Sequence, residues 1–249
     1  MKKSTIIIIP AEGDSPETEQ WYINALREHY YRQGKELKIV TFRHTSINCT
    51  SKALNRNVRR FFARHDFSER AEIHAQGGLG ASVAYRMLIL YPRLISRVFF
   101  IGGAPSNAMT GIAKLFHRYI SRLWYFSHIP FFADDPNPWR DPVVDQIRAS
   151  STAIMRANPL LYRNQLIHLG TWQLSPAWRL PEFCEAYFVP NGETVRPTWW
   201  DNSFNNDLAV KIWSEHGVGS TRRPGGNFSF YSMMPAAELF RVMDEVRAL

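Results

Sequence analysis

The sequence predicts an α/β fold, a doubly wound and mostly parallel sheet that carries an inserted helical cap. Short β-branched runs alternate with amphipathic stretches as far as residue 104, which is the pattern of strands joined by helices. A helical, aromatic segment broken by prolines then interrupts the alternation, and strand-like runs resume after it. Strands that are separated by helices imply right-handed crossovers, and such crossovers make neighbouring strands parallel.

Each predicted element follows from its local pattern. Thr5–Pro10 is apolar and β-branched, as strands covered on both faces are. The stretch from Pro16 to Tyr31 places its apolar residues at helical spacing on one side. The remaining elements are the strand Leu37–Phe42, the helix Ser51–Arg64, the strand Glu72–Ala75, the helix Ala81–Leu90, the strand Arg97–Gly102, the strands Glu185–Pro190 and Leu208–Trp213, and the helix Pro235–Ala248.

The pattern predicts one α/β core, built from residues 1–104 and 182–249, with a helical cap over residues 105–181. The cap is rich in tryptophan, and it contains an apolar helical stripe flanked by basic residues. These features favour a lid over an apolar pocket, or a helix packed on the core, over a membrane-surface helix. We therefore expect any ligand to be a small apolar or aromatic molecule, with Trp124 among the residues that bind it.

Composition indicates an ordinary globular protein of 249 residues, 45% hydrophobic and 21% charged. The formal net charge of +8 favours anionic partners without identifying one. The arginine run from Arg56 to Arg70 is interpreted as the solvent-exposed face of a packed helix, so we expect no nucleic-acid partner. Cys49 and Cys184 lack the spacing of a disulfide framework or a zinc site. We expect no metal, no cofactor, no membrane insertion and a cytoplasmic location, and we make no prediction about the oligomeric state.

The segment from Glu72 to Tyr85 is predicted to be a strand, a tight turn and a helix, with Gln76-Gly77-Gly78-Leu79-Gly80 at the turn. It resembles the nucleophile elbow of the α/β-hydrolase family, and the order of elements resembles that family over nearly the whole chain. The late strand ending in Val189-Pro190-Asn191-Gly192-Glu193 is similar to the strand whose loop supplies the family's acid. The resemblance implies that Gly78 stands at the nucleophile position, where glycine has no side chain to attack with.

The resemblance also implies a changed acid and base. Val195 stands at the acid position, and Asn227 stands where the family has a Gly-His turn. His216 is the candidate for a surviving functional histidine, because it is predicted to follow the last strand directly. Ser82 is the rival nucleophile, although a serine one turn inside a helix is expected to bond to a backbone carbonyl instead.

The loop after the first strand corresponds to the family's oxyanion loop. Pro10 lacks an N–H group, so the N–H groups of Ala11 and Leu79 are the candidates for an oxyanion hole. Glu12 would bring negative charge to that hole, which disfavours a developing oxyanion. His44 follows the second strand and is predicted to lie at the carboxyl edge of the sheet, where ligands bind in open α/β folds.

Three functions fit these patterns. The first is a non-hydrolytic protein of this fold that binds a small apolar molecule, or acts on it without a nucleophile as a lyase, isomerase or cyclase. The second is an esterase-like serine hydrolase with a displaced nucleophile such as Ser82. The third is an interaction protein that uses the fold as a scaffold. The sequence favours the first, and it leaves open whether the protein is an enzyme.

Overall fold

The computed structural model describes residues 3–13, 16–44, 48–67, 69–120, 149–150, 153–190, 205–224 and 236–248. Its strands form one six-stranded parallel sheet in the order β2-β1-β3-β4-β5-β6. The strands are β1 (Lys3–Ile9), β2 (Glu36–Thr41), β3 (Ala71–Gln76), β4 (Ile95–Ile101), β5 (Glu185–Val189) and β6 (Gly219–Ser220). This topology confirms the predicted mostly parallel α/β class.

Helices cover both faces of the sheet, as a doubly wound fold requires. They are α1 (Pro16–Arg32), α2 (Ser51–Arg64), α3 (Gly77–Leu90), α4 (Gly111–Leu115), α5 (Pro159–Leu169), α6 (Asn206–Glu215) and α7 (Ala236–Arg247). Short 3₁₀ turns lie at Pro92–Leu94 and Ser106–Ala108, Phe116–Ile120 is a π-helical turn, and residues 153–157 are helical. One apolar core joins α2, α3 and α6 to the sheet, and a second joins α1 and α7 to the opposite face.

The arginine-rich helix α2 packs as predicted. Leu54, Val58, Phe61 and Phe62 are buried against the sheet, while the arginines of this helix are exposed. The helix begins at an N-cap, because the Thr50 side chain accepts a hydrogen bond from the backbone of the third residue after it. Among the described residues, no helix is long and apolar enough to cross a membrane.

One predicted strand is wrong. Leu208–Trp213 lies within the helix α6, and the last strand of the sheet is instead Gly219–Ser220. The side chain of Asn205 starts this helix by accepting a hydrogen bond from the backbone N–H of Leu208, at 3.0 Å. Ala209, Ile212 and Trp213 are buried at helical spacing, so the apolar run has the period of a helix and was misread as that of a strand.

A buried ionic network fastens α7 to the central strand β3. Arg247 donates hydrogen bonds to Glu72, and Glu72 also accepts one from His74 Nε2 at 2.8 Å. The Tyr22 hydroxyl donates to His74 Nδ1 at 2.9 Å, which assigns the ring proton to Nε2. Burial opposes the ionisation of Glu72, but the hydrogen bonds from His74 and Arg247 and the Arg247 charge outweigh it and lower the pKa of Glu72. Burial lowers the pKa of His74, and both of its ring nitrogens have hydrogen-bond partners, so it is a satisfied core histidine.

Candidate active site

The tight turn between β3 and α3 lies at the carboxyl edge of the sheet. The strand ends at Gln76 and the helix begins at Gly77, which adopts a left-handed conformation with φ of +63°. The strained residue is therefore Gly77, one position before the predicted tip at Gly78. Glycine is favoured there because a side chain makes this conformation costly. Gly80 is also required, since a Cβ atom there would lie 2.9 Å from the carbonyl oxygen of Ile9.

The space above this turn is filled. A Cβ atom on Gly78 would collide with the Cδ2 atom of Leu169, which is buried at the end of α5. Leu169 belongs to an apolar cluster with Met109, Met155, Tyr162 and Leu166. The place where a side chain on Gly78 would act on a substrate is thus occupied by a side chain of α5.

The predicted oxyanion hole holds a carboxylate. The backbone N–H of Leu79 donates a hydrogen bond to Glu12 Oε2 at 3.1 Å, across 67 positions of sequence. Such an interaction stabilises a helix N-terminus, because the first N–H groups of a helix attract negative charge. The structure therefore brings Glu12 and Leu79 together. Ala11, the residue before Glu12, is buried.

Ser82 has a partner that sequence patterns did not reveal. Its Oγ atom lies 2.6 Å from Nε2 of His168, a residue of α5, and both side chains are buried. The expectation that Ser82 bonds to a backbone carbonyl of its own helix is therefore replaced by a contact across 86 positions of sequence. His168 lies in an apolar run, Leu166-Ile167-His168-Leu169, and no motif distinguishes it.

The Ser82–His168 pair places a hydroxyl group beside an imidazole nitrogen, as a serine nucleophile and its base require. Burial, with smaller electrostatic contributions from His44 and Arg86, lowers the pKa of His168 to about 4. The imidazole is consequently neutral near pH 7 and can accept the Ser82 proton. Among the described residues, no carboxylate is hydrogen-bonded to His168, so the pair is a dyad in this part of the chain.

His44 lies near the carboxyl edge, as predicted. Its Nε2 atom is 3.3 Å from Cys49 Sγ, and its Nδ1 atom is 3.5 Å from Asn57 Nδ2. Burial lowers the pKa of His44 and raises the pKa of the Cys49 thiol to about 12. The thiol and imidazole are therefore both uncharged near pH 7, which disfavours Cys49 as a nucleophile. Among the described residues, no group of three or more potential ligands is placed to hold a metal ion.

His216 does not lie at this site. It ends the helix α6 and precedes β6, whereas the prediction had it following a strand. It therefore lies at the amino edge of the parallel sheet, opposite the turn at Gly77. There its Nδ1 atom is 2.7 Å from the backbone carbonyl oxygen of Trp178. The predicted positions Val195, Asn227 and Trp124 lie outside the described residues.

Two hollows are lined in part by α3 and α5, the helices that carry Ser82 and His168. The inner cavity, of about 270 Å³, is lined mainly by apolar side chains that include Leu79 and Val83 on α3 and Tyr162 on α5. It also contains Ala11 and His44, two of the residues predicted to bind a ligand. The outer cleft, of about 730 Å³, lies between α2, α3 and α5, and His168 is part of its wall.

Comparisons with solved structures establish the fold. A hydrolase from Pseudomonas aeruginosa PA01 superposes with a TM-score of 0.68 at 13% identity, over 97% of this chain and 90% of its own. The 2-hydroxy-6-oxo-6-phenylhexa-2,4-dienoate hydrolase from Rhodococcus sp. strain RHA1 gives 0.65 at 12% identity, over 98% and 91%. An enol-lactonase from Burkholderia xenovorans LB400 gives 0.63 at 12% identity, over 99% and 91%.

The chain has the α/β-hydrolase fold, as the resemblance of its elements implied. No protein-family model matches the sequence, and no curated protein is detectably similar to it. The hypothesis of a non-hydrolytic protein is contradicted, because the structural neighbours include hydrolases, thioesterases and an enol-lactonase. The neighbours favour the serine-hydrolase alternative over it. The predicted division into a core and a cap at residues 105–181 stays a prediction.

Proposed function

We propose that this protein is a serine hydrolase in which Ser82 is the nucleophile and His168 is its base. The observation that carries the proposal is the 2.6 Å contact between Ser82 Oγ and His168 Nε2, with Ser82 on the helix α3 that begins at the carboxyl edge of the sheet. Ligands of open α/β folds bind at this edge. The resemblance to hydrolases and lactonases supports cleavage of an ester-type bond.

The chemistry follows the general scheme for an activated serine. Ser82 Oγ attacks the substrate carbonyl carbon while its proton passes to His168 Nε2. The protonated His168 then donates this proton to the leaving oxygen, and an acyl-serine remains. A water molecule, deprotonated by His168, attacks the acyl carbon and releases the acid, which restores both residues.

Substrate access requires α5 to move. Ser82 is only 2% exposed, and His168 stands between it and the outer cleft. Because α5 carries both His168 and Leu169, displacement of this helix uncovers the nucleophile and clears the space above Gly78. A lid of this kind excludes water once it closes over a substrate. The apolar wall of the inner cavity suits an apolar acyl group.

A fluorophosphonate probe tests the proposal directly, because it bonds covalently to activated serines. We expect labelling of the wild-type protein at Ser82, located by peptide mass spectrometry, and none in Ser82→Ala. His168→Gln should slow labelling at least 100-fold, since loss of general-base catalysis costs about 10²–10⁴-fold. Ser214→Ala is the matched control, because Ser214 is exposed and, among the described residues, its hydroxyl donates a hydrogen bond only to the Lys211 carbonyl.

A covalent probe is preferable to a turnover assay here. Loss of a correctly placed carboxylate lowers the turnover of a serine protease by about 10⁴-fold, so a dyad is expected to be slow. Thermal unfolding should show that Ser82→Ala and His168→Gln are folded. Unchanged labelling of Ser82→Ala, or no labelling of the folded wild-type protein, would overturn the proposal.

A further inference from the structure

We infer that the outer cleft binds an anionic group of the substrate and that Arg86 recognises it. This inference rests on the proposed function for the identity of the bond that is cleaved, but it concerns a different set of residues. The described wall of the cleft contains Arg86 and His168 and no aspartate or glutamate; its other residues are Asn48, Cys49, Thr50, Ser51, Asn164, Ile167, Thr171, Trp172 and Gln173. A substrate entering here meets positive charge and hydrogen-bond donors.

The guanidinium group of Arg86 is held at the cleft by its neighbours. Its Nη2 atom donates a hydrogen bond to Ser51 Oγ at 2.8 Å, and the group lies 5.4 Å from the centre of the Tyr85 ring. Arginine has five N–H donors in a planar fork that matches the geometry of a carboxylate. The charge of Arg86 also contributes to the lowered pKa of His168, which indicates that the two groups are electrostatically close.

The start of α2 adds to the positive potential. Thr50 and Ser51, the N-cap and first residue of this 14-residue helix, both line the cleft. The first turn of the helix carries no acidic side chain to offset the partial positive charge of its N-terminus. An anion in the cleft would therefore gain from the helix as well as from Arg86.

One residue in the wall of the cleft, Trp172, has a buried donor without an acceptor. Trp172 lines the cleft and is 5% exposed, yet its indole Nε1 has no hydrogen-bond partner among the described residues. The indole N–H can only donate, and a buried donor without an acceptor costs free energy.

The spacing between Ser82 and Arg86 sets the distance from the reacting carbonyl to the anion. The two residues are four positions apart on α3, so they lie on the same face with their Cβ atoms about 5–6 Å apart. An ester whose apolar acyl group fills the inner cavity would then place its leaving group in the cleft. The substrate class is an ester or thioester with an anionic leaving group about one helical turn long.

Two ligand pairs that differ only in charge test this inference. Calorimetric titration compares 4-hydroxybenzoate with its neutral isostere 4-hydroxybenzamide, and needs no turnover. We expect the wild-type protein to bind the benzoate at least about tenfold more tightly, as for a hydrogen bond to a charged group. Arg86→Met should remove the preference and Arg86→Lys should retain part of it. The ratio of kcat/KM for 4-butyryloxybenzoate to that for 4-butyryloxybenzamide should fall about as much in Arg86→Met.

Arg60→Met is the matched control, because it removes one exposed positive charge of α2 that does not line the cleft. It should keep the preference of the wild-type protein, which separates recognition from a change in net charge. Equal affinities for the two ligands, no binding of either, or a preference that survives in Arg86→Met would overturn the inference. Failure of the proposed function appears elsewhere, as absent labelling of Ser82, and leaves the binding result standing.

Discussion

Leu169 of α5 fills the space that a side chain on Gly78 would enter, so close that even a Cβ atom there would overlap its Cδ2 atom. The nearest backbone N–H that could serve an oxyanion, that of Leu79, is bonded to the Glu12 carboxylate. Both features act against a nucleophile at the turn, independently of the missing side chain. The nearest serine on α3 is Ser82, one helical turn further along the helix.

Restoring a hydroxyl at the predicted tip should not restore activity. We expect Gly78→Ser to lower the free energy of unfolding by about 1–3 kcal/mol, as overpacking of a core does. Urea denaturation measures this cost, and an ester panel should show no gain in hydrolysis. Gly111→Ser is the control, since a Cβ atom at Gly111 meets no atom within 4 Å. Equal stability of the two variants would mean that α5 yields freely at Leu169.

The stability of the protein should depend on pH through His168. Its pKa is about 4 in the folded state, against about 6.5 for an unperturbed histidine in the unfolded chain. Because the folded-state pKa is the lower one, the stabilising effect is complete above pH 6.5 and is lost as the pH falls through 4. Urea unfolding of the wild-type protein and His168→Gln should therefore give a difference that shrinks between pH 6.5 and 4. Parallel pH profiles would contradict this expectation.

The ionic network beneath α7 should be sensitive to loss of one partner. Arg247→Met removes the closer of the two arginines that pair with the buried Glu72 carboxylate and leaves Arg97 at 3.4 Å, which is expected to cost up to about 3–5 kcal/mol of unfolding free energy. Adding Glu72→Gln should recover part of the loss, since no charge then remains unpaired. Arg241→Met, an exposed position on the same helix, should change stability by less than about 0.5 kcal/mol. Equal losses of unfolding free energy in Arg247→Met and Arg241→Met would show that the buried network stabilises the protein no more than an exposed ion pair does.

Probe labelling at Ser82 should be limited by the opening of α5. At rising fluorophosphonate concentration, the rate should level off at the opening rate of the helix, because Ser82 is buried when α5 is closed. Leu166→Ala, which removes a fully buried contact of α5, should raise the plateau. A rate that stays proportional to probe concentration in both proteins would show that Ser82 is reached without opening.

Much of the fold could be predicted from the sequence because it depends on local pattern. The β-branched run in β1 indicates a buried strand, and the apolar spacing of α2 indicates which face of that helix is buried. The error at Leu208–Trp213 has the same origin, since a short apolar run does not by itself distinguish a buried strand from a packed helix. The one-residue shift from Gly78 to Gly77 reflects a backbone angle, which adjacent glycines leave unspecified.

The site was less predictable because its contacts are distant in sequence. His168 meets Ser82 across 86 positions, and no spacing rule connects an apolar helical run to a serine on another helix. Glu12 was predicted to lie near the oxyanion hole because the order of elements fixes where that loop must run. The same reasoning failed for His216, because it depended on the misassigned strand.

The pairing of Glu72 with Arg247 also constrains the time order of folding. Glu72 is on the central strand, but Arg247, the closer of its two arginine partners, is made 175 residues later. At a synthesis rate of about 5–20 residues per second, the strand exists for about 9–35 s before Arg247 leaves the ribosome. During this interval the Glu72 carboxylate has Arg97, on the neighbouring strand β4, as its only described arginine partner, at 3.4 Å. The apolar core on this face of the sheet includes residues of α7, so it is completed only after the last helix has been translated.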